Sequence, residues 1–267
     1  MPRRAANQPV QLGSFVKVVA IIQARMSSSR LPGKVLLPLA GKPVLAHVVQ
    51  RTHACRNVDE VVVATSTDPS DDAISVWCQE NKVRCFRGSL HDVLDRYYQA
   101  AKLHEAQAIV RITADCPALD TQTVDEVIRG FLDGGFAFYG LSGEFPDGLD
   151  CTVFSFQAIE KAWHEAKLPS EREHVGPYIE KNPQMFKGGG LSKYHGLSHM
   201  RWTLDEPRDY DFLSAVFDLL NEQATPFTAE DVLDLLRARP ELLTINQDID
   251  RNEGYQKSLE AEGHVHV

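Results

Sequence analysis

The sequence predicts an α/β fold of three layers, with helices on both faces of a mainly parallel central sheet. Three observations carry this. Apolar runs rich in β-branched residues recur without polar alternation, at Val18–Ile22, Val61–Ala64 and Ala108–Ile112, the pattern of strands buried on both faces. Segments with helical apolar spacing separate them, so strand and helix alternate along the chain. The runs at Ile22, Ala64 and Ile112 each end in a polar loop, where an open α/β sheet presents its ligands.

With 267 residues, 43% of them hydrophobic, the chain is long enough to bury one full core. Residues 1–15 are polar, lack the apolar run of a signal peptide and read as a flexible extension. Residues 16–250 read as a single domain and 251–267 as a C-terminal tail. The net charge of −9 and pI near 5.6 argue against nucleic acid as the main partner, so local clusters of cations are read as a site. No window approaches the ~20 apolar residues of a membrane helix, which predicts no membrane insertion. The five cysteines (Cys55, Cys78, Cys85, Cys116, Cys151) are scattered, with no C-x-x-C pair, and read as reduced thiols of a cytoplasmic protein.

The first strand runs into a loop carrying Arg25, Arg30 and Lys34, three consecutive serines and Gly33. Three cations directly after a buried strand point to a polyphosphate. The loop is not a Walker A motif, because Gly33-Lys34 is followed by Val35 and Ser28 stands at the first glycine position. It is not a dinucleotide fingerprint either, since that needs three glycines and only Gly33 is present. The pattern Ala24-Arg25-x-x-Ser28-x-Arg30-Leu31-Pro32-Gly33-Lys34, followed by Leu39-x-Gly41-Lys42-Pro43, resembles the opening of the sugar-activating cytidylyltransferases. These include the CMP-Kdo synthetases and, more closely, the SpsF-like spore coat polysaccharide proteins. The resemblance implies a Rossmann-like nucleotidyltransferase (GT-A-like) version of the fold, with Ala24, Arg25, Ser28, Arg30 and Lys34 against the nucleotide.

Pro43 to Ala54 reads as a helix opened by proline, with Val44, Leu45, Val48 and Val49 on its apolar face. The next strand ends at Thr65-Ser66-Thr67-Asp68. In the resembling family the matching loop lies beside the base, which makes Thr65 and Ser66 candidate base contacts; Thr67 or Asp68 also suits a helix N-cap. A helix over 71–81 and a strand over 83–86 lead to Arg87-Gly88, where Gly88 permits close backbone approach and Arg87 is a candidate for base or phosphate. Asp92, Asp95 and Arg96 read as helix-start and ion-pair residues.

The strand ending at Ile112 is followed by Thr113-Ala114-Asp115-Cys116-Pro117. A carboxylate just beyond a parallel strand, facing a cationic loop, is placed to hold Mg²⁺ against phosphate oxygens. A loop Asp also suits an Asx turn. The resemblance assigns Asp115 to the metal and makes Asp205, in Thr203-Leu204-Asp205-Glu206-Pro207, its partner. A helix over 121–132 and a strand over 136–139 precede Pro146-Asp147-Gly148-Leu149-Asp150, a turn by composition. There the resemblance makes Asp147 and Asp150 candidate acceptor contacts, together with Glu173 and His174 of the Arg-Glu-His-Val-x-Pro-Tyr segment.

A helix spans 157–166, and Pro169 to Ile179 opens another, with Ser170 and Glu173 at capping-box spacing. Gly188-Gly189-Gly190 reads as a flexible connection, within an arm that the family would use for dimer contact. Residues 199–203 read as a strand, followed by a helix with Pro207 in its first turn and Asp209 supporting its N-terminus. Helices over 210–220 and 228–237 close the domain.

The resemblance implies an Mg²⁺-dependent cytidylyltransferase. CTP would be attacked at its α-phosphorus by a sugar or sugar-acid acceptor, with pyrophosphate leaving, in surface polysaccharide or glycoconjugate synthesis by a homodimer. Arg25, Arg30, Lys34 and Asp115 would supply the catalytic charge. Two alternatives stay open. A glycosyltransferase of the same fold normally carries Asp-x-Asp at a strand end, and here that triplet occurs only at Asp209–Asp211 and Asp248–Asp250. A non-catalytic nucleotide-binding protein would need no intact carboxylate pair.

Overall fold

The computed structural model describes residues 16–220, 226–251 and 253–265; the expected extension at 1–15 lies outside them. Strand β1 (Val18–Gln23) leads through a short hairpin, β2 (Pro38–Leu39) and β3 (Lys42–Pro43), into helix α1 (Val44–His53). The alternation continues with β4 (Glu60–Ser66), α2 (Asp72–Glu80), β5 (Arg84–Gly88), α3 (Val93–Leu103), β6 (Ala108–Thr113) and α4 (Thr121–Gly134). The second half comprises β7 (Phe138–Ser142), β8 (Thr152–Ser155), α5 (Phe156–Glu165), α6 (Pro169–His174), α7 (Pro177–Glu180), β9 (Gly188–Ser192), α8 (Pro207–Leu220), α9 (Ala229–Ala238) and α10 (Glu253–Val265).

One seven-stranded sheet, in the order β5-β4-β1-β6-β8-β7-β9, forms the middle layer. Strand β8 runs antiparallel to both neighbours and every other pairing is parallel, so the expected mainly parallel α/β fold is what forms. The absence of alternation in β1 has a direct cause. Val18, Ala20 and Ile22 face a core shared with α1, α2 and α4, while Val19 and Ile21 face one shared with α3, α5 and α7. Side chains alternate across a strand, so a strand covered on both faces needs apolar residues at every position. A third core lies beneath α8 and α9, where Trp202, Phe212, Phe217 and Phe227 pack.

Register places the site. Gln23 stands opposite Ala64 on one side and Thr113 on the other, so the loops after β1 and β6 leave the sheet side by side. The N–H of Ala24 donates to Ala64 O (3.1 Å) and that of Ala114 to Gln23 O (3.0 Å), which carries the ladder one residue into each loop. No helix among the described residues is long and apolar enough to cross a membrane, and all five cysteines are free thiols.

Four local expectations are corrected. Gly188–Gly190 is not a loose connection but the start of edge strand β9, parallel to β7. Rings of Phe136, Phe138 and Tyr139 lie where Cβ atoms at Gly188 and Gly189 would stand, so glycine here is a packing requirement. Helix α6 begins at Pro169, a favoured first-turn residue, so the capping carboxylate is Glu171 and not Glu173: its Oε2 accepts from the N–H groups of Lys167 and Leu168, both 3.1 Å. The helix expected to continue past His174 breaks at Val175, with φ of 69°, and restarts as α7 at Pro177. Residues 199–203 make only one isolated parallel bridge, Asp147 to Arg201. Beyond these, 253–265 of the expected tail form helix α10, packed on α6.

Gly148 sets how closely the 145–150 loop approaches the 201–205 segment. Its φ is 102°, and a Cβ there would meet Trp202 C at 2.5 Å and Thr203 N at 2.6 Å, both main-chain atoms. Gly148→Ala is therefore expected to destabilise the protein by at least ~2 kcal/mol, the scale of left-handed strain plus a backbone clash. Urea unfolding midpoints of the two proteins measure it; an unchanged midpoint would show that the two segments separate without cost.

Candidate active site

The loop after β1 is held by its own main chain and by a buried carboxylate from the neighbouring turn. N–H groups of Ser28 and Gly33 both donate to Met26 O at 2.9 Å, and Gly33 adopts φ of 73° to close the turn. The Met26 N–H donates to Asp71 Oδ1 (2.7 Å), and the other oxygen of that fully buried carboxylate takes the N–H and hydroxyl of Ser66. The loops after β1 and β4 are thus tied to one anion. Gly33 is followed by a single 3-10 turn, Lys34–Leu36, which drives the Lys34 side chain inward to 7% exposure.

Lys34 Nζ stands 2.6 Å from Asp115 Oδ2 and 2.6 Å from Asp205 Oδ1. The two carboxylates come from segments ninety residues apart in sequence, one after β6 and one before α8, and meet on this ammonium. The second oxygen of Asp205 faces Arg30 Nη2 (3.1 Å) and Arg201 Nη2 (3.3 Å). Burial alone would push the Asp115 carboxyl up, but the Lys34 ammonium outweighs it and holds that pKa at about 2. Burial likewise works against the charged form of Lys34, yet Asp115 and Asp205 leave its pKa raised.

These groups line a cavity of about 350 Å³, within the range of small-molecule sites. Ala24, Arg25, Ser28, Arg30, Lys34, Asp115 and Asp205 are brought together there, and Asp147, Asp150, Glu173 and His174 line the same cavity. Arg25 Nη2 reaches Glu173 Oε1 at 3.4 Å across the opening. Burial and the neighbouring Asp150 push the Asp147 carboxyl up to about 7, against the pull of Arg251 and Arg201. His174 is held below its ordinary pKa, chiefly by burial.

Four expected nucleotide contacts lie elsewhere. Thr65 and Ser66 are fully buried within β4, which runs two residues further than expected, and neither lines the cavity. The Ser66 hydroxyl is spent on Asp71. Arg87 donates to Ser66 O (2.8 Å) and Asp68 O (3.2 Å) and pairs with Asp72 (2.7 Å), locking the turn between β4 and α2. The close approach at Gly88 is to Arg96, whose Cγ lies 2.9 Å from where a Cβ would stand.

Three cavity residues escaped the motif reading. Arg96 is 1% exposed and lines the cavity with Nε and Nη1 unpartnered, Arg111 lines it with a buried unpartnered Nε, and Gln23 Oε1 is likewise buried and unpartnered. Arg96 reads in the sequence as a helix-start, ion-pair residue; only the packing of α3 under β1 and β4 turns it inward. Arg201 is 5% exposed and binds Asp209 through Nε (2.9 Å) and Nη2 (3.0 Å) and Asp147 through Nη1 (3.0 Å).

The donor set at Lys34 suits a hard divalent cation. Two carboxylates converge on one positive charge, and Mg²⁺ commonly takes one or two carboxylates and completes its octahedron with water and phosphate oxygens. Among the described residues no three His, Cys, Asp or Glu side chains form a metal cage, which is the arrangement Zn²⁺ would need. Asp115 and Asp205 are therefore the residues able to hold such an ion. Without metal, the Lys34 pair makes a pH-dependent contribution to folding. A depressed Asp stabilises above its unfolded pKa of ~3.9 and loses that contribution as pH falls through its folded value of about 2. The metal-free protein is expected to exceed Asp115→Asn in stability by about 2 kcal/mol near neutrality, with the difference disappearing between pH ~4 and pH ~2. Denaturant titrations at a series of pH values measure it, and a pH-independent difference would rule out the charge pair as its source.

The family model described as "Cytidylyltransferase" matches residues 19–249. The spore coat polysaccharide biosynthesis protein SpsF of Bacillus subtilis is 30% identical over 241 residues, covering 85% of this chain and 97% of SpsF. A 3-deoxy-manno-octulosonate cytidylyltransferase from Anaeromyxobacter sp. (strain K) is 32% identical over 178 residues, 60% of this chain and 72% of that protein. Among solved structures, a cytidylyltransferase from Leptospira borgpetersenii superposes with a TM-score of 0.82 at 33% identity, covering 89% of this chain and all of that one. A match over most of the length, in both sequence and fold, makes this chain a member of the cytidylyltransferase family.

Proposed function

We propose that the protein transfers CMP from CTP to a sugar or sugar-acid acceptor and releases pyrophosphate, in the making of a surface polysaccharide or glycoconjugate. The observation that carries this reading is the meeting of Lys34 and Arg30 with Asp115 and Asp205 in one cavity, in a chain of this family. SpsF and the 3-deoxy-manno-octulosonate cytidylyltransferase, by their names, support a polysaccharide setting and a sugar-acid acceptor.

The roles follow from charge. Arg25, Arg30 and Lys34 bind the triphosphate, and with it bound they exchange carboxylate partners for phosphate oxygens. Asp115 and Asp205 would hold Mg²⁺, which would supply Lewis-acid stabilisation of the charge that builds on the phosphate oxygens. Two carboxylates hold the Lys34 pKa above its ordinary value, so this buried side chain offers a fixed positive charge at neutral pH. Asp147 and Asp150 face the acceptor side with Glu173 and His174, where carboxylates and a ring nitrogen accept from or donate to sugar hydroxyls.

Asp115→Asn is expected to lower the rate of pyrophosphate release from CTP and acceptor by at least ~100-fold while leaving the circular dichroism spectrum unchanged. Wild-type turnover in that variant would sink the metal assignment. In a thermal-shift series of CTP, UTP, GTP and ATP with and without Mg²⁺, CTP with Mg²⁺ should give the largest stabilisation, about 2.7 kcal/mol at 100 times its Kd. A larger response to a diphospho-sugar would instead indicate glycosyl transfer.

A further inference from the structure

A second cavity, of about 330 Å³, lies against the first, and three side chains line both: Arg111, His174 and Tyr255. Its remaining walls include Phe154, Pro177, Glu180 and Lys181. Tyr255 stands in the first turn of α10, beyond residue 249, where the match to the family model ends.

Contacts on both sides of the opening fix α10. Glu253 pairs with Arg30 of the phosphate-side loop. Ser258 Oγ lies 3.1 Å from His174 Nε2 and 3.4 Å from Glu173 Oε2, and Glu262 accepts from the Ser170 N–H at 2.5 Å. Between these anchors the Tyr255 ring meets His174 edge-on, with centroids 5.0 Å apart at 77°, and Lys181 Nζ lies 5.8 Å from the ring centroid. The partition between the cavities is thus partly an aromatic ring on a helix seated by polar contacts.

We propose that α10 is the acceptor-side wall of the site, and that Tyr255 sets how long an acceptor is admitted. The reacting end of the acceptor lies in the first cavity and its distal, polyhydroxylated end extends into the second. That cavity mixes the apolar faces of Phe154 and Pro177 with the charged ends of Arg111, Glu180 and Lys181, a lining suited to a carbon chain carrying hydroxyl groups. The assignment rests on the reading above that Glu173 and His174 mark the acceptor side.

The test compares wild type with Tyr255→Ala, Tyr255→Phe and Tyr255→Trp on 2-keto-3-deoxy sugar acids of six, eight and nine carbons. CTP with Mg²⁺ should stabilise all four proteins equally, because the ring packs on His174 and Lys181 and not on the side chains of the triphosphate loop. The ratio of kcat/KM for the nine-carbon acid to that for the six-carbon acid should rise about tenfold in Tyr255→Ala, stay at the wild-type value in Tyr255→Phe and fall in Tyr255→Trp. A ratio that does not change in Tyr255→Ala or in Tyr255→Trp overturns the proposal. Failure of CTP with Mg²⁺ to stabilise wild type, with no pyrophosphate released from any acid, overturns the cytidylyl-transfer reading itself and the acceptor wall with it.

Discussion

The site depends on one buried ion pair, Arg201 with Asp209. Asp209 is fully buried, and its oxygens accept from Arg201 Nε and Nη2, from Asn246 Nδ2 at 2.9 Å, and from the N–H groups of Asp205 and Glu206, both 2.9 Å. Burial would lower the Arg201 pKa, but Asp209, Asp147 and Asp205 leave it raised. Such a pair is costly to bury and costlier to break, because either partner alone would be an uncompensated charge. What it achieves here is position. The remaining reach of Arg201 fixes Asp147 and Asp205, so the 145–150 loop and the turn before α8 are oriented by the same guanidinium.

Charge in the cavity is nearly balanced in the absence of ligand. Arg25, Arg30, Lys34 and Arg201 each have a carboxylate partner, whereas Arg96 and Arg111 make no ion pair among the described residues. This arrangement suits a polyanion that arrives with a divalent cation: the phosphates replace carboxylates at the arginines and the lysine, and the freed carboxylates have a cation to meet. Little reorganisation of the backbone is needed, since the loops are already tied to Asp71 and to one another.

Helix α10 gives the site a second boundary. Its Glu253 rests on Arg30, and its Ser258 and Tyr255 rest on His174, so one element touches both the cationic loop after β1 and the end of α6. Arg251, just before it, reaches Asp150 at 3.3 Å and stacks 4.4 Å from the Phe145 ring centroid, which seats the start of the helix on the same 145–150 loop that Arg201 orients.

The sequence by itself determined the α/β alternation, the cationic loop after β1 and the carboxylate Asp115 just beyond β6, because each depends on short-range order: period, turn chemistry and the end of a buried strand; Asp205 was singled out only by the resemblance to the family. It did not reveal that Thr65 and Ser66 face inward, since one or two residues of extra strand decide which face a side chain meets. Nor did it reveal the glycines of β9 as a packed edge strand, because the rings of Phe136, Phe138 and Tyr139 that require them lie about fifty residues earlier. Only tertiary structure turned Arg96 into the cavity and brought α10 across it. Both follow from how distant elements pack, and local pattern carries no information about which helix surface another element will cover.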